Sequence, residues 1–387
     1  MLFRSEVPPQ QAGRPTLDSL TQLTFGACAG YAVAGSRLGR RALAFGALAG
    51  TIPDLDTFVL SGAGVWSEWR NHRGVTHSLF FAPVVAPVLG WIAWSYHNRA
   101  RPFEPEGASD ALGSWIALFF VGLVTHPLLD VFTIYGTQLL APFSDTRFAF
   151  PGLGIIDPIY TLPLAAAAVL ALVQPAQWRS RLAIWVALFG SVVYQFYGVG
   201  QNQRVETMAR AQLAAEGVAP ADVRVYTTIF QPWLRRIVVD EPAGARVGFA
   251  SSLQENAIAW TCFAHRSDPA VAVLRATSEG RLFDWFSDGE IWPTVVPAAD
   301  GSRVVRLTDR RYGAPGPTLQ GWWGIEAPIA ADGRVLEAPR RIDLPRGDLG
   351  QLIGEVLSAS TGTPTALFPQ AANATAAAEA CARTRMP

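Results

Sequence analysis

Paired aspartates and histidines stand where an apolar chain should not place them lightly. Residues 52–56 read I-P-D-L-D and residues 71–78 read N-H-R-G-V-T-H-S. About 50 residues further on, an apolar run carries T-H-P-L-L-D, with His126 and Asp130. Each piece lies in or beside a segment apolar enough to span a bilayer. An ionised Asp at mid-membrane costs about 2.5–3.5 kcal/mol on insertion scales, so a chain that keeps several such groups usually uses them. Imidazole and carboxylate together hold catalytic divalent ions. The set therefore reads as a membrane-embedded metal site.

The spacings refine this. His126 and Asp130 are four apart, which on a helix puts both on one face, one turn from each other. Pro127 between them predicts a kink and a freed carbonyl, tolerated in a membrane only where protein or water covers it. A buried His–Asp hydrogen bond that merely joins helices is the plainer alternative. Asp54 and Asp56 are two apart and would diverge on a regular helix, but Pro53 predicts a break where both can turn toward one cation. Without a cation between them, one of two close carboxylates would stay protonated. His72 and His77 flank Gly74, a spacing that fits a turn leading into a helix. Arg73 is expected to hold an anionic substrate or to pair with Asp54 or Asp56. Thr76 is a candidate N-cap for the next helix, and Ser78 has no independent support as a nucleophile. Gln22, Asp145 and Asp157 are expected to stand behind the ligands. For Gln22 a helix-joining amide, for Asp145 a solvated loop charge and for Asp157 a helix cap are the plainer readings.

The elements that must position these residues are mostly membrane helices. Half of the 387 residues are hydrophobic, and the long apolar runs crowd into the first ~200. The fold class expected is an all-α membrane bundle of about six spans followed by a small β-rich extramembrane domain. The spans fall near 20–36, 41–60, 77–96, 112–134, 158–173 and 181–199, each near the ~20 residues a bilayer requires. The first is rich in Gly and Ala, which suits close helix packing. Trp91, Trp94, Tyr96 and Trp115 read as interfacial anchors. The connections at 37–41, 97–111 and 174–181 carry seven arginines against five on the opposite set, which places the first set in the cytoplasm. The Asp/His motifs and the C-terminal domain then fall together on the outer, periplasmic face of an inner membrane.

The remaining divisions follow composition. Residues 1–19 are a polar N-terminal segment in which no cleaved signal peptide is expected. Residues 20–200 form the transmembrane region, 201–217 an amphipathic linker helix, 218–365 the β-rich domain and 366–387 an Ala-rich mobile tail. Strands are expected at Val223–Phe230, Arg235–Asp240, Ala257–His265, Ala270–Arg275, Val304–Leu307 and Trp322–Ala327. Formal net charge is zero and every cationic side chain except His is Arg. No basic footprint points to nucleic acid. Cys28 sits in an apolar run as inert packing. Cys262 and Cys381 are free to pair if the tail lies outside the cytoplasm, and spacing alone does not decide this.

The ordered motifs resemble the bacterial membrane-bound metal-dependent hydrolases related to the LexA-regulated inner-membrane protein YdjM. The matching stretches are D-S-L-T-Q at 18–22, G-A-L-A-G-T-I-P-D-L-D at 46–56 and H-R-G-V-T-H-S at 72–78. They continue with T-H-P-L-L-D-V-F-T-I-Y-G-T-Q at 125–138, P-F-S-D at 142–145 and I-I-D-P-I-Y-T-L-P at 155–163. The tail is similar to the long form of the family through L-F-D-W-F-S at 282–287 and R-Y-G at 311–313. The resemblance implies a metal-dependent hydrolase whose ligands are Asp54, Asp56, His72, His77, His126 and Asp130. Many relatives carry T-H where this chain has Thr21-Gln22, and Gln is a poor zinc ligand.

The function expected is hydrolysis at the outer face by a divalent metal, zinc first and manganese or magnesium as alternatives, singly or as a pair. The ion would activate a water toward an ester or phosphoester of a lipid or lipid-linked substrate. Arg73 would stabilise developing charge, and an aspartate such as Asp56 would orient the water. Two other classes compete. An ion or proton transporter predicts polar residues through the full depth of the membrane, whereas the inner halves of spans two and four are almost purely apolar. A structural protein using the cluster as helix glue gains only about 0.6 kcal/mol per interhelical hydrogen bond.

Overall fold

Small residues set how the first helices meet. The computed structural model describes residues 17–99, 112–175, 177–265, 267–313, 316–345 and 348–369. Helix α1 (Leu17–Leu38) turns at Gly39, whose φ is 56°, into α2 (Arg40–Thr51). A Cβ on Gly26 would lie 2.5 Å from the Gly46 carbonyl oxygen, and one on Gly50 would lie 2.6 Å from the Gln22 carbonyl oxygen. The two backbones therefore touch along a small-xxx-small stripe, as close helix pairs in membranes do. Helix α6 (Leu112–Asp130) joins them at Gly122, where a Cβ would stand 2.5 Å from that of Ala49. We expect Gly46→Val to destabilise the protein by more than the ~1–3 kcal/mol of ordinary overpacking, because backbone cannot yield. Thermal melting in detergent checks this, with Gly190→Val as the control, since nothing lies within 4 Å of a Cβ there.

Among the described residues, two helices are long and apolar enough to cross a membrane, α6 and α8 (Trp178–Ala215). The number rises to four if each of two bent pairs is one span. In the first pair, α2 continues after a 45° bend into the 3-10 turn Pro53–Leu55 and α3 (Asp56–Ser61). In the second, α4 (Val65–Asn71) and the 3-10 turn Val75–His77 meet α5 (Phe81–Arg99) at 67°. The six expected spans are thus not confirmed. The Gly, Ala, Ser and Thr that let α1 pack tightly also lower its hydropathy, and α7 (Pro158–Val173) ends after 16 residues. Exposed apolar side chains such as Val84, Leu162, Phe189 and Phe196 line the outer faces of α5, α7 and α8, as lipid contact requires. Trp91 and Tyr96 are exposed, but Trp115 is not an interfacial anchor. It is buried against Phe45, ring centroids 5.0 Å apart.

Helix α8 runs unbroken for 38 residues, so the linker helix expected at 201–217 is its C-terminal end. Gly217, with φ 69°, follows it, the left-handed position that commonly ends helices. Val205, Ala209 and Leu213 on that end pack against an antiparallel sheet. This sheet is the meander β1 (Asp222–Thr227), β2 (Leu234–Glu241), β3 (Gly244–Ser251) and β4 (Thr261–Ala264). A second meander follows, formed by β5 (Ile291–Pro297), β6 (Arg303–Asp309), β7 (Trp323–Ile329) and β8 (Arg340–Asp343). Among the described residues the β-rich region therefore holds two four-stranded sheets. The strand expected at Ala270–Arg275 is instead helix α9 (Pro269–Arg275). Asp268 caps it by accepting from the Ala270 amide at 2.8 Å, and Pro269 occupies the first turn, a pair of signals that start helices. Helices α10 (Ser278–Phe286) and α11 (Leu349–Ser360) complete the region. Cys28 is buried and free. Cys381, and with it the question of its pairing with Cys262, lies outside the described residues, as do residues 1–16 and most of the Ala-rich tail.

Candidate metal centre

The helix breaks and the end of α6 meet at one level, and there four side chains converge. Nε2 of His77 lies 3.1 Å from Nε2 of His126, and each lies 3.3 Å from Oδ1 of Asp54. Oδ2 of Asp130 is 3.4 Å from the first imidazole nitrogen and 3.5 Å from the second. Four donors bound at about 2.0–2.2 Å in a tetrahedron stand roughly 3.3–3.6 Å from one another. The separations of the two imidazole nitrogens from each other and from the two carboxylate oxygens have that size. His77, His126 and Asp130 are buried, while the Asp54 side chain keeps 29% of its surface exposed. The centre is open on that side alone among these four.

The protonation pattern fits a cation. Nδ1 of His126 faces the carbonyl of Gly50, one of the last carbonyls of α2 that no helical amide can reach. Nδ1 of His77 lies 2.9 Å from the Thr76 hydroxyl, which itself donates to Oδ2 of Asp56 at 2.8 Å. Both imidazoles thus spend their N–H proton outward and turn the Nε2 lone pair to the common point, the arrangement typical of metal-binding His. Oδ2 of Asp130 is buried and accepts no hydrogen bond. A buried carboxylate oxygen with no donor is costly, and a cation between these four atoms would satisfy it.

A set of partners holds the converging groups from behind. Gln22 donates to Oδ1 of Asp130 at 2.9 Å, so it orients a ligand rather than acting as one. Nη2 of Arg73 is 3.3 Å from that same Oδ1, and its Nη1 donates to Thr133 at 2.7 Å. Arg73 is 4% exposed and lies against the Tyr135 ring, 4.8 Å from its centroid. Its guanidinium is thereby committed to Asp130, and the expectation that it faces substrate is not what this geometry favours. Asp56 does not join the four converging atoms. Its Oδ1 pairs with Nδ1 of His72 at 2.9 Å, and its Oδ2 takes the Thr76 hydroxyl. His72 is partly exposed, and with Asp54 and His77 it forms a second group whose donor atoms lie within 4.8 Å of one another. Loss of such outer partners typically lowers metal affinity about 10–100-fold. We expect Gln22→Ala and Asp56→Asn to weaken metal binding within that range, measured by competition with a chromogenic chelator.

Two candidates stand elsewhere. Asp157 caps α7, accepting from the amides of Ile159 and Tyr160 at 3.0 and 3.2 Å, and from the Tyr194 hydroxyl at 2.9 Å. Asp145 forms an exposed ion pair with Arg70 at 3.2 Å. The supporting residues that spacing could not indicate are Gly50, Thr76, Thr133 and Tyr135, since each acts through a backbone atom or a tertiary contact.

The sheet region packs beside the centre. Trp69, on the helix that ends at His72, is buried against Phe283 and Phe286 of α10, centroids 5.2 and 5.1 Å away. Arg147 donates to the carbonyls of Tyr135 and Phe286. Burial and the neighbouring Arg311 charge push its guanidinium down to about 10, which leaves it cationic at neutral pH. Nη1 of Arg311 reaches the Ile134 carbonyl at 3.4 Å. The stretches 282–287 and 311–313 therefore tie the sheet region to the loop that carries Thr133 and Tyr135.

Comparison with known proteins agrees with this organisation. The chain is 24% identical over 270 residues to the uncharacterized protein YfhP of Bacillus subtilis, covering 68% of this chain and 75% of that one. It is 29% identical over 126 residues to the inner membrane protein YbcI of Escherichia coli, covering 32% of this chain and 66% of that one. No solved structure matches. Residues 17–202 match the family described as YdjM inner membrane protein, and this helical region, with its apolar helices and its Asp/His centre, is similar to that membrane family.

Proposed function

We propose that this protein is a metal-dependent hydrolase of the bacterial inner membrane, with its centre and sheet region on the periplasmic face. The observation that carries the reading is the convergence of two Nε2 lone pairs and two carboxylate oxygens, one of them without any hydrogen-bond donor. Two imidazoles with two carboxylates favour zinc over magnesium, which prefers six oxygens. Manganese is the alternative. An ion held by Asp54, His77, His126 and Asp130 supplies Lewis acidity, polarising a substrate oxygen and lowering the pKa of water.

The chain's own residues supply the rest. Asp56 holds Nδ1–H of His72, so the opposite ring nitrogen of this partly exposed imidazole is a base on the open side of the centre. Gln22 and Arg73 fix Asp130 and keep its second oxygen aimed inward. Away from the open side, the walls between α2 and α6 are Ala49, Leu118, Phe119 and Leu123, all buried and apolar. A closed, apolar floor suits one-sided chemistry better than passage of an ion across the membrane. The exposed apolar helix faces favour a centre beside lipid, so the substrate class proposed is an ester or phosphoester of a lipid or lipid-linked molecule.

Metal analysis of the purified protein, followed by turnover of lipid ester and phosphoester panels, tests the proposal. Wild type without a stoichiometric ion would sink it. For orientation, Cys262 and Cys381 give a readout in intact cells. A periplasmic tail predicts that both resist maleimide until the cells are treated with a reductant.

A further inference from the structure

The end of the helical bundle opposite the metal centre gathers positive charge around an open cavity. Arg37 of α1, Arg40 and Arg41 of α2, Arg99 of α5, and Arg179 and Arg181 of α8 stand at helix ends there. Contacts between those ends bring them together. Arg37 donates to the Ser114 hydroxyl of α6 at 2.8 Å and Arg40 to the Leu172 carbonyl of α7 at 2.6 Å, while Nη1 of Arg41 lies 2.8 Å from Nε2 of His97 on α5. Tyr31 of α1 donates to the carbonyl of Pro175, just before α8. Among the described residues no carboxylate side chain accompanies these arginines. Asp54, Asp56, Glu68, Asp130, Asp145 and Asp157 all lie toward the other end. Between α1 and α8 the basic end holds a cavity of about 210 Å³, lined by Tyr31, Ser36, Arg181 and Trp185. Whole small-molecule ligands occupy ~300–1,000 Å³, so this cavity has room for a headgroup and not for an entire lipid. It is accessible, since Ser36 and Arg181 are exposed. Among the described residues neither the Arg181 guanidinium nor the Ser36 hydroxyl has a hydrogen-bond or ion-pair partner.

An accessible guanidinium beside a free hydroxyl matches a phosphate. What the phosphate is attached to is read from α8. Trp185 and Phe189 follow Arg181 at successive four-residue steps, on the same helix face, and are 57% and 72% exposed. The charged group thus passes directly into an apolar stripe, with a Trp at the junction where membrane interfaces favour one. Basic pockets between helices near a membrane surface hold anionic headgroups. We propose that this cavity holds the phosphodiester of an anionic phospholipid, its oxygens accepting from Arg181 and Ser36 and its acyl chains lying along Trp185 and Phe189. The uncompensated arginines around it favour a net negative headgroup and repel a choline cation. A soluble phosphate ester would leave the apolar stripe unused. Along α1, Ser36 lies roughly 21 Å from Gln22 at ~1.5 Å per residue, and Gln22 is the residue that touches Asp130. The bound lipid is therefore not a substrate of the metal centre, and the inference holds whether or not that centre is hydrolytic.

The test uses the full chain in nonionic detergent, read by native mass spectrometry during titration with phosphatidylglycerol, phosphatidylcholine, diacylglycerol and glycerol phosphate. Phosphatidylglycerol should form a one-to-one adduct, and the other three should bind at least tenfold more weakly. Arg181→Gln, an exposed change that leaves the fold intact, should bring phosphatidylglycerol down to the level of diacylglycerol. Arg179→Gln removes an equal charge two residues away, outside the cavity, and should keep the adduct. Ser36→Trp leaves every arginine in place and fills the cavity, and must lose it. Absence of the phosphatidylglycerol adduct, equal binding of phosphatidylcholine or diacylglycerol, or an unchanged adduct in Arg181→Gln or Ser36→Trp would each overturn the inference. An equal loss in Arg179→Gln would also overturn it, in favour of a diffuse basic belt. Glycerol phosphate bound as tightly as phosphatidylglycerol would do so in favour of a soluble ligand.

Discussion

Wild-type protein will purify with about one divalent ion per chain, and His126→Ala or His77→Ala will lose it. Each imidazole contributes one of four donor atoms and stands 3.1–3.5 Å from the other three. Loss of an outer partner alone lowers metal affinity by up to about 100-fold, so loss of a direct donor should exceed that. Such a site does not persist in the unfolded chain, so binding the ion stabilises the fold, by about 2.7 kcal/mol when free metal is a hundredfold above its dissociation constant. A chelator should therefore lower the melting temperature of the wild type and leave that of His126→Ala unmoved. Acid should act in the same direction, because the imidazoles must be deprotonated to bind. The alternative, a polar cluster that only joins helices, predicts no ion and no response to chelator in either protein. That pair of results would end the metal reading.

The local spacings were the most legible part of the centre. The four-residue interval put His126 and Asp130 on one face because α6 stays helical past Pro127. Pro53 announced the break that lets Asp54 turn inward. The division of labour between Asp54 and Asp56 was not legible, since it depends on which carboxylate His72 and Thr76 claim, and they arrive from another element. Trp69 offered no signal at all, because its role is to meet Phe283 and Phe286 more than 200 residues later in the chain. The six expected spans are not confirmed for a related reason. The Gly and Ala residues that bring α1 against α2 also lower its hydropathy, so it does not stand out as a span. In the sheet region the apolar run at 270–275 fits a strand by composition, and Asp268-Pro269 decides it as a helix.

Arg73→Met will be among the most destabilising single changes in the protein, and its effect will depend on bound metal. Arg73 is buried, with φ 59°, a conformation that L side chains adopt rarely. Met carries the same Cβ, so that backbone strain is unchanged by the substitution and the difference reports the guanidinium. Without it, Oδ1 of Asp130 keeps only Gln22, and the carboxylate is left buried and uncompensated. Breaking a buried pair in this way costs about 3–5 kcal/mol. A bound divalent ion also compensates Asp130, so the loss should be largest in chelator-treated protein and smaller at saturating metal. The double variant Arg73→Met/Asp130→Leu removes both charges and should be more stable than Arg73→Met when metal-free. The same experiment separates the two roles open to Arg73. If it holds Asp130, the variant binds metal about 10–100-fold more weakly, and excess metal restores turnover. If it acts on developing charge in the substrate, metal affinity stays at the wild-type value and the fall in kcat survives any excess of metal. The 3.3 Å approach to Asp130 and the 2.7 Å bond to Thr133 favour the first outcome, because a guanidinium so engaged has little left to offer a substrate.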